Sequence, residues 1–158
     1  LINEARQQPQ VLVHRDYHSR NLMLLPDGSP GIIDFQDAVW GPVSYDLVSL
    51  LRDVYIQWPQ SLINQLLDYY RQQAVKQGVL HNAVTLPQLQ RWFDLMGLQR
   101  HLKILGIFCR LNYRDNKPNY LNDLALTLNY IYQVCPLYPE LKALQDYLQQ
   151  PAIKDQIL

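Results

Sequence analysis

HRDYHSRNLMLLPDGSPGIIDF, residues 14 to 35, decides how this chain reads. Two apolar runs, NLMLL (Asn21 to Leu25) and GIIDF (Gly31 to Phe35), flank the segment PDGSP. Pro26, Asp27 and Gly28 are strong turn formers, so the two runs predict a β-hairpin with a five-residue loop. The β-branched run VLVH (Val11 to His14) predicts a buried strand just before it. The polar octet HRDYHSRN therefore falls on a loop between a strand and a hairpin. Asp16 and Asn21 can face one cleft from that loop, and Asp34 can reach the same cleft from the end of the second hairpin strand. One carboxylate can then orient a hydroxyl and take its proton. An amide oxygen and a second carboxylate offer hard ligands to Mg²⁺. Phosphoryl transfer needs those parts.

Outward from this core motif the pattern turns helical. YDLVSLLRDVYI places Leu47, Leu50, Leu51 and Val54 on one face, and Trp58-Pro59 ends the run. Further helices are expected over Gln60 to Gln77, Leu86 to Tyr113, Tyr120 to Val134 and Pro139 to Leu148. Pro87 and Pro139 suit a helix first turn. Residues Asp115 to Pro118 read as a loop, and LINEARQQ at the start reads as the last turns of a helix. The expected class is α+β, mostly helical, with a small catalytic β-hairpin and about five or six helices. The 11 tyrosines and 3 tryptophans are expected in core and helix packing.

Composition narrows the function classes. The chain has 158 residues, 48% of them hydrophobic, enough for a packed core. Lys and Arg (14) balance Asp and Glu (14), which argues against a nucleic-acid partner. No apolar run approaches a membrane span, and no signal-peptide pattern is present, so a cytoplasmic protein is expected. Cys109 and Cys135 form no CxxC pair and are expected to be buried, reduced thiols. Charge divides along the chain. Residues 1 to 59 carry four basic groups (Arg6, Arg15, Arg20, Arg52) and seven acidic ones (Glu4, Asp16, Asp27, Asp34, Asp37, Asp46, Asp53), a balance of −3. Residues 60 to 158 hold ten basic groups against seven acidic, a balance of +3. Acidic groups thus gather around the loop, as a metal site requires.

His14-Arg15-Asp16, four residues, then Asn21 resembles the H-R-D-x-x-x-x-N loop of the protein-kinase fold, and Asp34-Phe35 resembles the start of its DFG motif. His18 completes HxDxHxxN, and Asp46-Leu47 follows the second aspartate. These features make the chain similar to the small-molecule kinases, the aminoglycoside phosphotransferase and choline kinase-like group. An APE motif and an activation segment are absent, and Gln36 stands where DFG has glycine. More narrowly, IDFQDA, GPVSYDLVSLLRD and QRHLKILGIFCRL resemble the bacterial anomeric sugar kinases of cell-wall recycling, over most of residues 11 to 132. Those enzymes phosphorylate N-acetylmuramate and N-acetylglucosamine at C1.

The resemblance implies a role for each residue. Asp16 is the expected base, and Asn21 and Asp34 the expected Mg²⁺ and nucleotide ligands. His14 supports the loop by hydrogen bonding. His18 contacts either the transferring phosphoryl group or Asp16, or is structural. Asp37 joins the metal site, meets substrate hydroxyls or lies on a solvated turn. Asp46 ties the loop's backbone to a helix start. Arg20 either screens phosphate or is a surface arginine. ATP and Mg²⁺ are the implied cofactors and a small sugar the implied acceptor. Aminoglycoside, choline or another alcohol remain as alternatives, as does a pseudokinase-like binding module.

The helical half adds one signal. Arg100, Lys103, Arg110 and Arg114 share one arc of about 80° at 100° per residue. This stripe is either a solvated face or part of a pocket for an anionic group such as a lactyl carboxylate. A +3 half argues against a polycationic acceptor. The ATP clamp is missing, since no G-x-G-x-x-G and no VAIK-like strand occurs. With no initiator Met, the chain is expected to be the C-terminal lobe of a longer kinase. Residues 1 to 59 would then be the catalytic segment and 60 to 158 the helical substrate-binding part. Its missing N-terminal lobe would be a partner in the same protein, and the lobe alone would turn over negligibly.

Overall fold

In the computed structural model, residues 1–150 are described. Helix α1 (Ile2–Gln7) leads into strand β1 (Gln10–Val13). After the polar loop come β2 (Leu22–Leu24) and β3 (Pro30–Ile32), then β4 (Val39–Pro42). Helices α2 (Tyr45–Leu51), α3 (Gln60–Lys76), α4 (Leu86–Asp115), α5 (Leu124–Val134) and α6 (Lys142–Leu148) follow. The fold is therefore mostly helical α+β, with six helices among the described residues.

Two antiparallel pairs are nested. β2 pairs with β3, Leu22 opposite Ile32 and Leu24 opposite Pro30. The connection is five residues long, one position earlier than the turn residues alone suggest. The Leu25 N–H donates to the Ser29 carbonyl at 3.0 Å, and Asp27 Oδ1 accepts from the Ser29 N–H and hydroxyl at 3.0 and 2.7 Å. Gly28 sits at φ +81°, where a side chain would strain the turn. β1 pairs with β4 outside this hairpin, Val13 opposite Val39 and Gln10 opposite Pro42. The sequence reading did not include β4. Its Gly41 and Pro42 read as turn residues, and two of its four side chains, Val39 and Trp40, are exposed apolar groups.

The described residues form two compact units, divided between Gly97 and Leu98 within α4. In the first unit the core joins Val43, Val48 and Leu51 to Ile63 and Leu67 of α3 and to Leu89, Trp92, Phe93 and Met96 of α4. On α3 the buried positions Ile63, Leu67 and Ala74 repeat at helical spacing. The helix stops in a Schellman motif. Gly78, at φ +73°, donates to the Val75 carbonyl, and the Val79 N–H donates back to the Ala74 carbonyl at 2.8 Å. The change of sequence character near residue 59 lies inside this unit, because α2, α3 and the first half of α4 share one core. In the second unit His101 stacks on Tyr130 at 4.8 Å and Phe108 meets Tyr120 at 5.3 Å.

Two expectations need correction. Helix α2 ends at Leu51 rather than running to Trp58. The Asp53 side chain accepts the Tyr55 N–H at 2.9 Å, and this local bond competes with the helical ladder. Val54 stays buried, but outside the helix. The second correction concerns Cys109, which is exposed, while Cys135 is buried as expected. The boundaries Tyr120 to Val134 and Pro139 to Leu148 also begin differently, each opening with a 3₁₀ turn (Pro118–Asp123 and Pro139–Leu141).

Candidate active site

The loop from His14 to Asn21 leaves β1 through an unusual backbone. Arg15 adopts φ +78°, a left-handed conformation that costs an ordinary side chain about 1–2 kcal/mol. Asp46, in the first turn of α2, holds it there. Its carboxylate accepts the His14 N–H at 2.6 Å and the Arg15 N–H at 3.0 Å. His14 Nε2 lies 2.9 Å from the Ile33 carbonyl, so that nitrogen carries the proton and donates. Arg15 Nη1 donates to the Asp37 carbonyl at 3.4 Å. The loop is thus fastened to a helix on one side and to the hairpin on the other.

Between these fastenings stand the chemical groups. The Asn21 side-chain N–H₂ donates to the Asp16 carbonyl at 2.9 Å and reaches Asp34 Oδ2 at 3.4 Å. Backbone pairing agrees, since the Ile33 N–H donates to the Asn21 carbonyl at 3.2 Å. Asp34 is exposed and sits at φ +65°, and its Oδ1 accepts the Gln36 amide at 2.7 Å. Asp16, Asn21 and Asp34 are therefore brought together from a loop, a 3₁₀ turn (Ser19–Asn21) and the end of the hairpin. Asp16 is half-buried, and among the described residues no group donates a hydrogen bond to its carboxylate.

The set suits Mg²⁺. Asn21 spends its N–H₂ on Asp16 and Asp34, which leaves Oδ1 as the atom that could ligate a cation. Mg²⁺ takes one or two protein oxygens and completes its shell with phosphates and water. No group of three or more His, Cys, Asp or Glu side chains that could hold a metal occurs among the described residues.

Other expected residues divide. Asp37 contributes its carbonyl to Arg15, and its side chain is exposed. His18 packs edge-on against Tyr55 at 5.4 Å between centroids. Arg20 lies over the same ring, 3.5 Å from its centroid. The basic stripe belongs to the second unit, and its single solvated arc does not hold. Arg100 is 7% exposed, whereas Lys103, Arg110 and Arg114 are exposed. Arg100 lies at the start of the stripe, on the stretch of α4 from 92 to 101 that is buried at every position but Gln99, and the three exposed cations lie further along the helix. Arg114 forms a surface pair with Asp115 at 2.7 Å. Sequence reasoning missed Asp53 and Tyr55 altogether. The one available signal was an aspartate at the end of a short apolar helix, directly after a second charged residue.

Comparison with known proteins adds two findings. The profile of the phosphotransferase enzyme family (APH) matches residues 1–80. Among curated proteins, an N-acetylmuramate/N-acetylglucosamine kinase of Pseudomonas putida is 46% identical over 150 residues, covering 95% of this chain and 44% of that protein. The protein of the same description from Neisseria meningitidis serogroup B is 49% identical over 137 residues, covering 87% of this chain and 40% of its own. A third, from Pseudomonas aeruginosa, is 42% identical over 148 residues, covering 94% and 43%. The chain therefore spans about two fifths of the length of the curated relatives it matches.

Proposed function

The chain belongs to the phosphotransferase enzyme family, and from that premise we propose that it is the catalytic and acceptor-binding lobe of a longer cytoplasmic kinase. The acceptor is the anomeric hydroxyl of N-acetylmuramate or N-acetylglucosamine, the substrates in the names of the relatives. The observation that carries this reading is the convergence on Asn21, whose side-chain amide bonds the Asp16 carbonyl and the Asp34 carboxylate.

In this mechanism Asp16 accepts a hydrogen bond from the C1 hydroxyl and aims its oxygen at the γ-phosphorus of ATP. The C1 oxygen–phosphorus bond forms as the bond from γ-phosphorus to the bridging oxygen breaks. ADP leaves, and the hydroxyl proton passes to Asp16. Asn21 Oδ1 and the Asp34 carboxylate would hold Mg²⁺, which would supply neutralisation of the phosphate charge. Lys103, Arg110, Arg114 and Arg100, all on α4, are the groups proposed to meet an anionic acceptor.

The ATP clamp belongs to a second lobe. In support, the first unit exposes a set of large apolar side chains: Leu12 (69%), Trp40 (75%), Leu24 (83%) and Phe35 (66%). Leu12 and Trp40 are direct partners across β1 and β4. So much uncovered apolar surface marks an interaction face. No helix among the described residues is long and apolar enough to cross a membrane.

The test is an ATP and Mg²⁺ assay of the full-length protein with N-acetylmuramate, N-acetylglucosamine, an aminoglycoside and choline, alongside Asp16→Asn. Sugar 1-phosphate from the first two alone, lost in the variant, is expected. Transfer to the aminoglycoside or choline would overturn the acceptor. Nucleotide binding with no turnover on any acceptor would overturn the kinase itself.

A further inference from the structure

Asp46 fastens the loop ahead of Asp16. A second carboxylate fastens it behind. Asp53 is 2% exposed, yet both of its oxygens are engaged by backbone. Oδ2 accepts the Ser19 N–H at 2.9 Å, across 34 residues of sequence, and Oδ1 accepts the Tyr55 N–H at 2.9 Å. The turn closed by the second bond presents the Tyr55 ring to the loop. His18 meets that ring edge-on at 5.4 Å, and the Arg20 guanidinium covers it at 3.5 Å. Three consecutive loop residues, His18, Ser19 and Arg20, are therefore held by one turn. They are also the residues between Tyr17 and Asn21, the stretch that sets how far Asn21 stands from Asp16.

A charge this deeply buried is costly unless hydrogen bonds satisfy it. A role confined to ending helix α2 would need only one oxygen and would leave the carboxylate at the surface. Spending the second oxygen on a distant loop amide points to the loop as the beneficiary. Charge-assisted bonds to backbone N–H groups are among the stronger and more directional ones.

Resting on the kinase reading above, we propose that Asp53 is a positioning residue for phosphoryl transfer. It fixes the span from Asp16 to Asn21 through the Ser19 amide, while Tyr55 steadies His18 and Arg20. The base and the metal-ligating amide then keep their separation whether or not substrate is bound. Misplacement by about 1 Å at such a site costs about a hundredfold in rate.

Two variants of the full-length protein test this. Asp53→Asn keeps the shape but turns an N–H₂ toward one of two N–H donors. Ser19→Pro removes the loop's own donor. His18 already has φ −129° and ψ 171°, the extended form that precedes proline, and Ser19 opens a 3₁₀ turn, where proline fits. Both variants should lower kcat about 10- to 100-fold, with KM for the acceptor sugar within about twofold. Hydrogen–deuterium exchange over residues 17 to 21 should rise in Asp53→Asn, with exchange in α3 unchanged. A drop in melting temperature alone, with kcat and loop exchange as in the parent, would overturn the proposal. If the parent protein transfers phosphate to no acceptor, the kinase reading fails, and exchange at Ser19 decides the anchor by itself: unaltered exchange in Asp53→Asn overturns it.

Discussion

The Asp46 carboxylate stands 3.0 Å from the backbone nitrogen of Arg15, a residue held at φ +78°. A strained backbone persists where its surroundings over-determine it, and here the carboxylate does so through two N–H groups. Asp46→Ala should cost about 3 kcal/mol in a denaturant titration, the scale of two hydrogen bonds to a charged group. Arg15→Gly relieves the strain and should stay within about 1 kcal/mol of the parent, whereas Arg15→Val should be worse than Arg15→Gly by about 1–2 kcal/mol.

Arg52 and Asp94 join the end of α2 to α4 by an ion pair at 2.6 Å, with side chains 5% and 1% exposed. Gln90 adds a bond to the same carboxylate oxygen at 2.9 Å, and the guanidinium lies over Phe93 at 4.6 Å. Asp94→Ala leaves a buried cation behind and should cost about 3–5 kcal/mol. Replacing both residues together, Arg52→Met with Asp94→Leu, should cost clearly less in the same unfolding measurement. An equal loss would show that the pair matters through something other than its uncompensated charge.

On the proposed kinase reading, Mg²⁺ dependence separates the two proposed metal ligands, Asn21 and Asp34, from the proposed base, Asp16. Asn21→Ala and Asp34→Asn should each raise the Mg²⁺ concentration for half-maximal activity about tenfold or more, since second ligands are scarce. Binding of Mn²⁺ in the presence of nucleotide, followed by electron paramagnetic resonance, should weaken in parallel. Asp16→Asn should leave that binding intact while abolishing turnover.

The two thiols should behave differently. Cys109 is exposed, while burial shields Cys135 and pushes its thiol pKa up. A raised thiol pKa leaves less of the reactive thiolate. Iodoacetamide at mildly alkaline pH should label Cys109 in the native protein and Cys135 only after denaturant is added. Mass spectrometry of the labelled peptides reads the order directly.

Alkali should destabilise the fold through two acids shielded from water, half-buried Tyr70 and buried Cys135. Burial raises the Tyr70 phenol, with the Asp46 charge adding to it, and the phenol donates to the Val43 carbonyl at 3.1 Å. Burial likewise raises Cys135. Both groups keep their protons in the folded chain at pH values where the unfolded chain has begun to lose them. The unfolded state then binds fewer protons, so stability falls as pH rises beyond the ordinary thiol and phenol range, from about 8.5 upward. Below that range both groups are protonated in either state, and the stability is full and independent of their titration. Melting temperature should decline between about pH 9 and 10.5, and less steeply in Tyr70→Phe.

Much of this arrangement was legible in the residues, and the parts that were not share a cause. The hairpin showed because Pro26, Asp27 and Gly28 carry their conformational preference locally. α3 showed because its buried positions repeat along one helix. β4 hid because its pairing with β1 is a long-range event and its own letters favour turns. The end of α2 hid because one side chain, Asp53, competes with the helix. Arg100 looked like its three neighbours on the charge stripe, yet it lies on the stretch of α4 from 92 to 101 that is buried at every position but Gln99. Asp53 and Asp94 hid for the strongest reason. A buried carboxylate is defined by partners 34 and 42 residues away, and no local pattern announces those.

The nesting of one strand pair inside another has a further consequence. Val13 faces Val39 across β1 and β4, and Asp16, Asn21 and Asp34 all lie in the span between them. The tip of the inner hairpin, at Asp27 and Gly28, is exposed. A cut there would leave Asp16 and Asn21 on one piece and Asp34 on the other. The β1–β4 and β2–β3 ladders would still hold the pieces together side by side. Complementation follows naturally from this topology: two separately expressed halves, broken at the hairpin tip, have every strand contact they need to rebuild the site without a peptide bond between them.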